Sequence, residues 1–187
     1  MSLPDRQAWT GLVLAGGGST RMGRDKAGLD WQGRPLIEHM QDLLRSAGAH
    51  RVVVSGDYPQ YDAIADRRPG LGPLGGLHSA AAALPDGTLL VVPVDMPRLT
   101  TALLCRLLAA PAECAVFSGQ RLPMRMRLDE GSRATLDRLV AVAVAERERS
   151  LRALQQALGC AELALDAGAE AALANCNTPE QWEALRA

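Results

Sequence analysis

Continuous apolar runs alternate with segments of helical periodicity along the first 110 residues. Three short runs have no polar face, which predicts strands buried in a parallel sheet; they lie at 10–14, 51–55 and 88–95. Between and after them, Pro35 opens a helical pattern that stops at Gly48, and helices are also predicted over 74–84 and 101–109. This alternation predicts an α/β fold, a three-layer α/β/α sandwich with a mostly parallel sheet.

Beyond residue 110 the pattern is less regular. The predicted elements are strands over 115–119, 123–129 and 161–166 and helices over 135–145 and 150–158. The last helix has clear start signals, because Thr178 is a good N-cap, Pro179 stands at the first helical position and Gln181 completes a capping box. No repeat or linker interrupts the chain, so we expect a single domain over 1–187.

Composition and charge exclude several classes of protein. Of 187 residues, 48% are hydrophobic and 22% are charged, which is ordinary for a globular protein. The chain has 20 Lys and Arg against 21 Asp and Glu, whereas nucleic-acid and membrane-surface binders carry a large basic excess. No apolar stretch approaches the ~20 residues that span a bilayer, and the first ten residues hold no apolar leader. We expect no nucleic-acid partner, no membrane and a cytoplasmic location.

The four cysteines show no metal-binding pattern. Cys105, Cys114, Cys160 and Cys176 form no CxxC pair, and no histidine stands at metal-ligand spacing from them. A structural zinc site is therefore not expected. The simplest interpretation is four free thiols in a reducing cytoplasm.

A glycine-rich loop follows the first strand and contains the lone lysine of the chain. Gly16, Gly17 and Gly18 allow backbone N–H groups to approach an anion, and Arg21 and Lys26 add positive charge. The loop matches neither the Walker A pattern nor the dinucleotide-binding pattern, so a phosphate loop and a plain structural turn both stay open. All other basic side chains are arginines, which suggests that position 26 needs a compact ammonium group.

This loop and three later motifs resemble one enzyme family. The segment LVLAGGGSTRMGRDKAGLDWQGRPLIEH is similar to the signature LAGGxSxRMGxDK of nucleotidyltransferases, and specifically of molybdenum cofactor guanylyltransferases. The segments GPLGG at 72–76, DMP at 95–97 and NCNTPE at 175–180 also match, in the family's order along essentially the whole chain. The resemblance implies a Rossmann-like sheet of the nucleotide-diphospho-sugar transferase type. It also implies a nucleotide-binding half over 1–110 and an acceptor-binding half over 111–187.

The resemblance implies a set of site residues. Those expected to contact GTP are Leu14, Ala15, Gly16, Gly17, Lys26, Ser55, Asp66 and Asp95. Those expected to contact the acceptor are Gly72, Pro73, Leu74, Asn175 and Asn177. Arg21, Lys26 and Asp95 are the expected catalytic group, because fixed cations stabilise the charge that develops on a leaving pyrophosphate. Ser55 departs from the family, which often has Asn at this position.

Asp95 is the expected ligand of Mg²⁺, which prefers hard oxygens and commonly takes one or two protein carboxylates plus substrate phosphates. The alternative role for Asp95 is to cap the helix that begins near 99–101, which Thr100 or Thr101 could also do. Asp66 and Asn177 have a structural alternative too, since both residue types form turns. These alternatives stay open at the level of sequence.

Other polar residues are less informative. His39, His50 and His78 are scattered, and we interpret them as structural or surface residues. For Cys176 we expect a small buried thiol and not a nucleophile, and for Arg24 a solvated loop charge. A local basic cluster either receives an anionic acceptor or forms a solvated strand face; it comprises Arg121, Arg125 and Arg127.

The resemblance implies transfer of GMP from GTP to molybdopterin with Mg²⁺ as cofactor and release of pyrophosphate. Cofactor-delivery proteins or molybdoenzymes are the implied further partners. Alternatives are a cytidylyltransferase or sugar-phosphate nucleotidyltransferase of the same fold, and a non-catalytic carrier that binds GTP or the finished cofactor. A carboxylate at Asp95 beside a phosphate loop favours an enzyme over a carrier.

Overall fold

The computed structural model describes residues 8–16, 25–68, 70–141, 150–166 and 168–186. Within these ranges the strands are β1 (Trp9–Leu14), β2 (Asp30–Trp31), β3 (Arg34–Pro35), β4 (Arg51–Ser55), β5 (Ala63–Ile64), β6 (Gly87–Pro93), β7 (Cys114–Phe117), β8 (Met124–Leu128) and β9 (Ala161–Leu163). The α-helices are α1 (Leu36–Ser46), α2 (Gly72–Ala83), α3 (Thr101–Leu108), α4 (Glu130–Ala141), α5 (Leu151–Ala157) and α6 (Pro179–Arg186). Two short 3₁₀ helices cover Lys26–Gly28 and Ala169–Leu173.

Seven strands form one sheet in the order β5-β4-β1-β6-β8-β7-β9. Strand β8 runs antiparallel to both of its neighbours, and every other pair in this sheet is parallel. The predicted α/β class with a mostly parallel sheet is confirmed. The two-residue strands β2, β3 and β5 were not predicted, because such short segments carry no periodicity.

Hydrophobic side chains pack on both faces of this sheet. Val13 of β1 belongs to one cluster, together with buried residues of α1, α3 and α6, and Leu12 belongs to a second, together with residues of α2, α4 and α5. Successive strand residues point to opposite faces, so one strand supplies both clusters. A Cβ atom at Gly11 would lie 2.9 Å from Leu44 Cδ1, so the glycine lets α1 pack closely on β1. The predicted three layers follow from this arrangement.

Helix α4 begins five residues earlier than the predicted start at 135. Asp129 and Ser132 explain the difference: the Ser132 N–H donates to Asp129 Oδ1 at 2.8 Å, and the Asp129 N–H donates to Ser132 Oγ at 2.9 Å. This reciprocal cap starts the helix before its apolar periodicity becomes visible in sequence. The end of the predicted helix lies outside the described residues.

The prediction of four free thiols is wrong for one pair, since a disulfide joins Cys114 and Cys160. Strands β7 and β9 are parallel neighbours with Ala115 opposite Ala161, so the register of the sheet brings the two cysteines together. Cys105 is exposed and free, and Cys176 is buried and free.

Helix α6 starts as predicted, with one shift in its cap. Thr178 Oγ1 accepts a hydrogen bond from the Gln181 N–H at 3.2 Å, as expected of an N-cap. Gln181 Oε1 accepts from the Asn177 N–H at 2.7 Å, one residue before the position that a capping box uses. Among the described residues, no helix is long and apolar enough to cross a membrane.

Candidate active site

The carboxyl ends of β4, β1 and β6 meet at one edge of the sheet. Leu14, the last residue of β1, lies opposite Ser55 and opposite the last residue of β6. The Ala15 and Gly16 N–H groups donate to Ser55 O at 3.2 and 2.9 Å, and the Val94 N–H donates to Leu14 O at 3.1 Å. Ligands of parallel α/β sheets bind beyond this edge. The loops that carry the predicted site residues are therefore tied together where a ligand is expected.

Three predicted site residues from distant parts of the chain meet beyond this edge. Lys26 Nζ lies 3.0 Å from Asp95 Oδ2 and 2.7 Å from Asn177 Oδ1. The Lys26 and Asp95 side chains are 16% and 19% exposed, so the ion pair is shielded from bulk solvent but open at one side. An ammonium group fits between a carboxylate and an amide oxygen because its three N–H donors point in different directions.

The structure excludes one of the two roles of Asp95 that the sequence left open. Thr100 is the N-cap of α3, with its Oγ1 accepting from the Leu103 N–H at 3.4 Å. The capping alternative for Asp95 is therefore wrong. The Asp95 backbone oxygen accepts from the Cys176 N–H at 2.9 Å, which attaches the segment containing Asn177 to the loop after β6.

The donor set around Asp95 fits a metal that retains water and binds substrate phosphates. Among the described residues, no group of three or more His, Cys, Asp or Glu side chains could enclose an ion. Asp95 Oδ1 accepts no hydrogen bond within the described part of the chain, and the carboxylate lines an open groove. One free carboxylate oxygen beside a ligand groove suits Mg²⁺, which commonly uses one or two protein carboxylates.

Cys176 lies under the site as a buried thiol. Burial, together with the nearby Asp95 charge, raises the pKa of the Cys176 thiol to about 11. The thiol is therefore protonated near neutral pH, and a nucleophilic thiolate is disfavoured. Its Sγ donates a hydrogen bond to the Asp95 backbone oxygen at 3.4 Å, which places the thiol against the loop after β6.

Asp66 and Ser55 form a second polar group at the same edge. Ser55 Oγ donates to Asp66 Oδ1 at 3.4 Å, and a Cβ atom at Gly16 would lie 3.5 Å from Asp66 Oδ2. Burial raises the pKa of the Asp66 carboxyl group above its ordinary value. A carboxylate with one long hydrogen bond is costly to bury, and ligand N–H donors would satisfy it.

The start of α2 approaches this group through a glycine. A Cβ atom at Gly76 would overlap Ser55 Oγ and would lie 3.3 Å from Asp66 Oδ1. Only glycine therefore fits at this position while Ser55 and Asp66 stay in place. The GPLGG segment thus approaches Ser55 and Asp66 closely with its backbone.

A groove of about 480 Å³ extends from Asp95 along the sheet edge. Its lining includes three of the predicted acceptor residues, Pro73, Leu74 and Asn175. The other two lie nearby in the chain: Gly72 starts α2, and Asn177 contacts Lys26. The volume lies in the range of small-molecule sites. Gly17, Gly18, Arg21 and Arg24 are outside the described residues, so their predicted roles stay predictions.

The prediction that Arg121, Arg125 and Arg127 form one basic cluster is wrong, because the three side chains have different surroundings. The Arg125 guanidinium turns inward and donates to the backbone oxygens of Ala110 and Ala112. Arg127 faces the Glu113 carboxylate at 3.9 Å. Arg121 alone of the three lines the groove that contains Asp95. Arg125 and Arg127 project from the same face of β8, and what separates them is the loop whose Ala110 and Ala112 oxygens bind Arg125, a contact that a sequence count of charges does not show.

The sequence did not indicate that Tyr58 and His39 hold loops of the candidate site in place. The Tyr58 hydroxyl lies 2.9 Å from Asp25 Oδ1, and Asp25 accepts the Ala27 N–H at 3.0 Å to start the short helix that carries Lys26. His39 Nε2 lies 2.9 Å from the Pro97 oxygen, two residues after Asp95. Neither contact has a local sequence signal, because each joins residues from different loops or elements.

Comparisons with known proteins show which family the sequence resembles. The family model for the MobA-like NTP transferase domain matches residues 11–163. A molybdenum cofactor guanylyltransferase from Xanthomonas euvesicatoria pv. vesicatoria is 56% identical over 182 residues, which cover 96% of this chain and 95% of that protein. A molybdenum cofactor guanylyltransferase from Pseudomonas aeruginosa PAO1 is 37% identical and covers 90% of each chain.

Solved structures show the same fold. Molybdopterin-guanine dinucleotide biosynthesis protein A from Archaeoglobus fulgidus matches with a TM-score of 0.72 at 20% identity, covering 94% of this chain and 96% of that chain. A nucleotidyl transferase from Methanothermobacter matches with a TM-score of 0.73 at 15% identity over 96% of each chain. The family model and the curated relatives extend this likeness from the fold to the sequence. The chain belongs to the MobA-like NTP transferase family.

Proposed function

We propose that this protein is a guanylyltransferase that transfers GMP from GTP to the terminal phosphate of molybdopterin. The observation that carries the proposal is the contact of Lys26 with both Asp95 and Asn177 at the head of a ligand groove. The 56% identical relative named molybdenum cofactor guanylyltransferase supports the choice of nucleotide and acceptor. GTP is supplied in the cytoplasm, which we propose as the location.

The reaction is an in-line displacement at the α-phosphorus of GTP. A phosphate oxygen of molybdopterin forms a bond to this phosphorus while the bond to the oxygen bridging the α- and β-phosphates breaks, and its electron pair leaves with pyrophosphate. The attacking phosphate is already ionised, so no general base is required. Catalysis then depends on positioning and on charge stabilisation.

Lys26 and Asp95 supply the charge stabilisation in this proposal. The Lys26 ammonium faces the phosphates of GTP, where fixed positive charge stabilises the developing pyrophosphate more than the ground state. Asp95 would hold Mg²⁺, which when bound would supply positive charge at the phosphate oxygens. Asn177 holds the ammonium group through its Oδ1 at 2.7 Å. Arg21 and Gly17 are proposed to contact the same phosphates.

Asp66 is proposed to select guanine. Guanine presents two adjacent N–H donors at N1 and the 2-amino group, and a carboxylate accepts both in a bidentate pair. Ser55 Oγ donates to the Asp66 carboxylate at the sheet edge, and the Gly16 backbone lies beside it. The backbone of Ala15 and Gly16 is proposed to contact the base there. Cytosine and adenine offer no such pair of donors.

Thermal stability in the presence of nucleotides tests the function before turnover is measured. With Mg²⁺, we expect GTP to raise the melting temperature more than CTP, ATP or UTP, because a ligand that binds the folded state stabilises it by mass action. Pyrophosphate release should then require GTP and molybdopterin together. A shift with CTP in place of GTP would identify a cytidylyltransferase, and GTP binding without pyrophosphate release would identify a carrier.

Asp66→Asn is expected to lower GTP affinity about 10- to 100-fold, as the loss of a bidentate base contact does. Burial raises the pKa of Asp66, so its charged form destabilises the folded state once the pH rises through that pKa. The neutral variant should therefore melt at the same or a higher temperature. The variant should gain affinity for xanthosine triphosphate, whose 2-carbonyl oxygen accepts a hydrogen bond from an amide N–H. Titration calorimetry with both nucleotides measures the change.

The matched control is Asp62→Asn, which removes an exposed carboxylate paired with Arg51 in the same region of the sheet. It should leave both affinities unchanged. Unaltered GTP affinity in Asp66→Asn would exclude the carboxylate from guanine recognition.

A further inference from the structure

Two exposed arginines face the groove at a distance from the reacting phosphate. Arg121 lies in the loop before β8 and Arg152 in the first turn of α5, and both line the groove that begins at Asp95. A second groove of about 540 Å³ adjoins the first and is lined by the same two arginines. The arginines therefore stand where the two grooves join.

Within the part of the chain that the structure describes, these two guanidinium groups have no carboxylate partner and face the grooves. Within the described ranges, most arginines bond to a carboxylate or a backbone oxygen, as Arg106 does with Asp166 and Arg133 with Asp86. Neither Arg121 nor Arg152 has a carboxylate within 4 Å among the residues described. Two like charges at one groove repel each other, and an anionic ligand relieves this repulsion.

The backbone under the two arginines is held in place. The buried Gln155 side chain of α5 donates from Nε2 to the Arg121 backbone oxygen at 2.8 Å, which joins the Arg121 loop to the helix that carries Arg152. Leu122 and Leu151, the neighbours of the two arginines, are buried in the same hydrophobic cluster. The two guanidinium groups are thus presented by fixed backbone, which lowers the entropic cost of binding.

We propose that Arg121 and Arg152 form the acceptor-specificity site of this enzyme and bind an anionic group of the acceptor other than its attacking phosphate. The inference rests on the proposed function, in which the phosphate lies at Asp95. Molybdopterin meets the requirement, because it carries a pair of thiolate sulfurs in addition to its phosphate. A guanidinium group offers several N–H donors to such a pair of anionic atoms. The second groove then accommodates the rest of the acceptor.

The test is a kinetic comparison of Arg121→Gln, Arg152→Gln and the double variant. We expect the KM for molybdopterin to rise about 10-fold in each single variant and more in the double variant, as expected for a lost charge-assisted hydrogen bond. The kcat and the KM for GTP should stay within about twofold, because neither side chain touches the reacting phosphates. Arg121→Lys and Arg152→Lys should recover part of the loss by keeping the charge without the planar donor set.

Arg138→Gln is the matched control, since Arg138 is an exposed arginine of α4 that lines neither groove. This variant should leave kcat and the KM values for molybdopterin and GTP unchanged. An unchanged KM for molybdopterin in the double variant, or an equal rise in the KM for GTP, would overturn the proposal.

A direct binding measurement separates failure of this inference from failure of the proposed function. If the wild-type protein forms no dinucleotide, the proposed function fails and the kinetic test is replaced by molybdopterin fluorescence without nucleotide. Binding that is weakened at least 10-fold in the double variant and unchanged in Arg138→Gln supports the acceptor site. Equal binding by wild type and double variant, or no binding by either, refutes it.

Discussion

Asp95→Asn is expected to lower kcat for GMP transfer about a thousandfold, the upper range for loss of one electrostatic stabilising group. The substitution keeps the size of the side chain and the backbone oxygen that accepts from Cys176, so the loop after β6 retains its attachment. What it removes is the negative charge that pairs with Lys26 and that would bind Mg²⁺ in the proposed mechanism. The Mg²⁺ concentration for half-maximal activity should rise as well.

The measurement is steady-state pyrophosphate release over a Mg²⁺ titration, with a melting curve to show that the variant is folded. Asp86→Asn is the control, because Asp86 is an exposed carboxylate at the opposite end of the sheet, in the turn before β6. The control should match wild type in turnover and in Mg²⁺ dependence. Near-normal turnover of Asp95→Asn would remove this carboxylate from the mechanism.

Lys26→Ala is expected to lower kcat about a hundred- to a thousandfold, because the ammonium group stabilises charge that develops only as pyrophosphate leaves. Lys26→Arg should recover only part of the activity. A planar guanidinium group cannot place one compact charge 3.0 Å from Asp95 Oδ2 and 2.7 Å from Asn177 Oδ1 as the ammonium group does. The KM for GTP should change less than kcat, since the effect is on the transition state.

Single-turnover kinetics at saturating GTP measures the chemical step for these variants. Arg45→Ala is the control, since it removes an exposed cation paired with Asp42 on α1, on the protein surface. If Lys26 and Asp95 act as a unit, the double variant should lose little more activity than the worse single variant. Fully additive losses would show that the two groups act independently, and an active Lys26→Ala would exclude the ammonium group from catalysis.

Two carboxylates of the candidate site, Asp66 and Asp95, connect the stability of the folded protein with its proposed function. Asp66 is a half-buried carboxylate whose pKa is raised by burial, so folding is opposed by the same group that is proposed to read guanine. Lys26 and Asp95 neutralise each other before substrate binds. The protein therefore tolerates a costly carboxylate at Asp66, the proposed base contact, and a paired carboxylate at Asp95, the proposed phosphate and metal site.

Local patterns were sufficient to predict the main elements of the fold. The strand at 51–55 was predicted at the bounds the structure shows, and the last helix starts at Pro179 as predicted, because a continuous apolar run and a Thr-Pro start signal are properties of neighbouring residues. The start of α4 was missed, since the reciprocal bonds of Asp129 and Ser132 begin the helix before any apolar periodicity.

Motif matching selected the individual residues of the site but not their contacts. Lys26, Asp95 and Asn177 were each predicted from separate segments, and the sequence did not indicate that one ammonium group touches both of the others. Likewise, the predicted cluster around Arg125 was wrong, and Arg121 shares its groove with Arg152, which lies on a different element.

By itself the sequence determined the alternation of strands and helices and the family of the protein, because these depend on residue type and short-range spacing. Only the tertiary structure decided which of the predicted site residues lie together. The parallel register that places Leu14 opposite Ser55 gathers the loops at one edge, and the register of β7 with β9 joins Cys114 to Cys160. Such contacts arise from packing between segments far apart in the chain, where no local pattern specifies the partner.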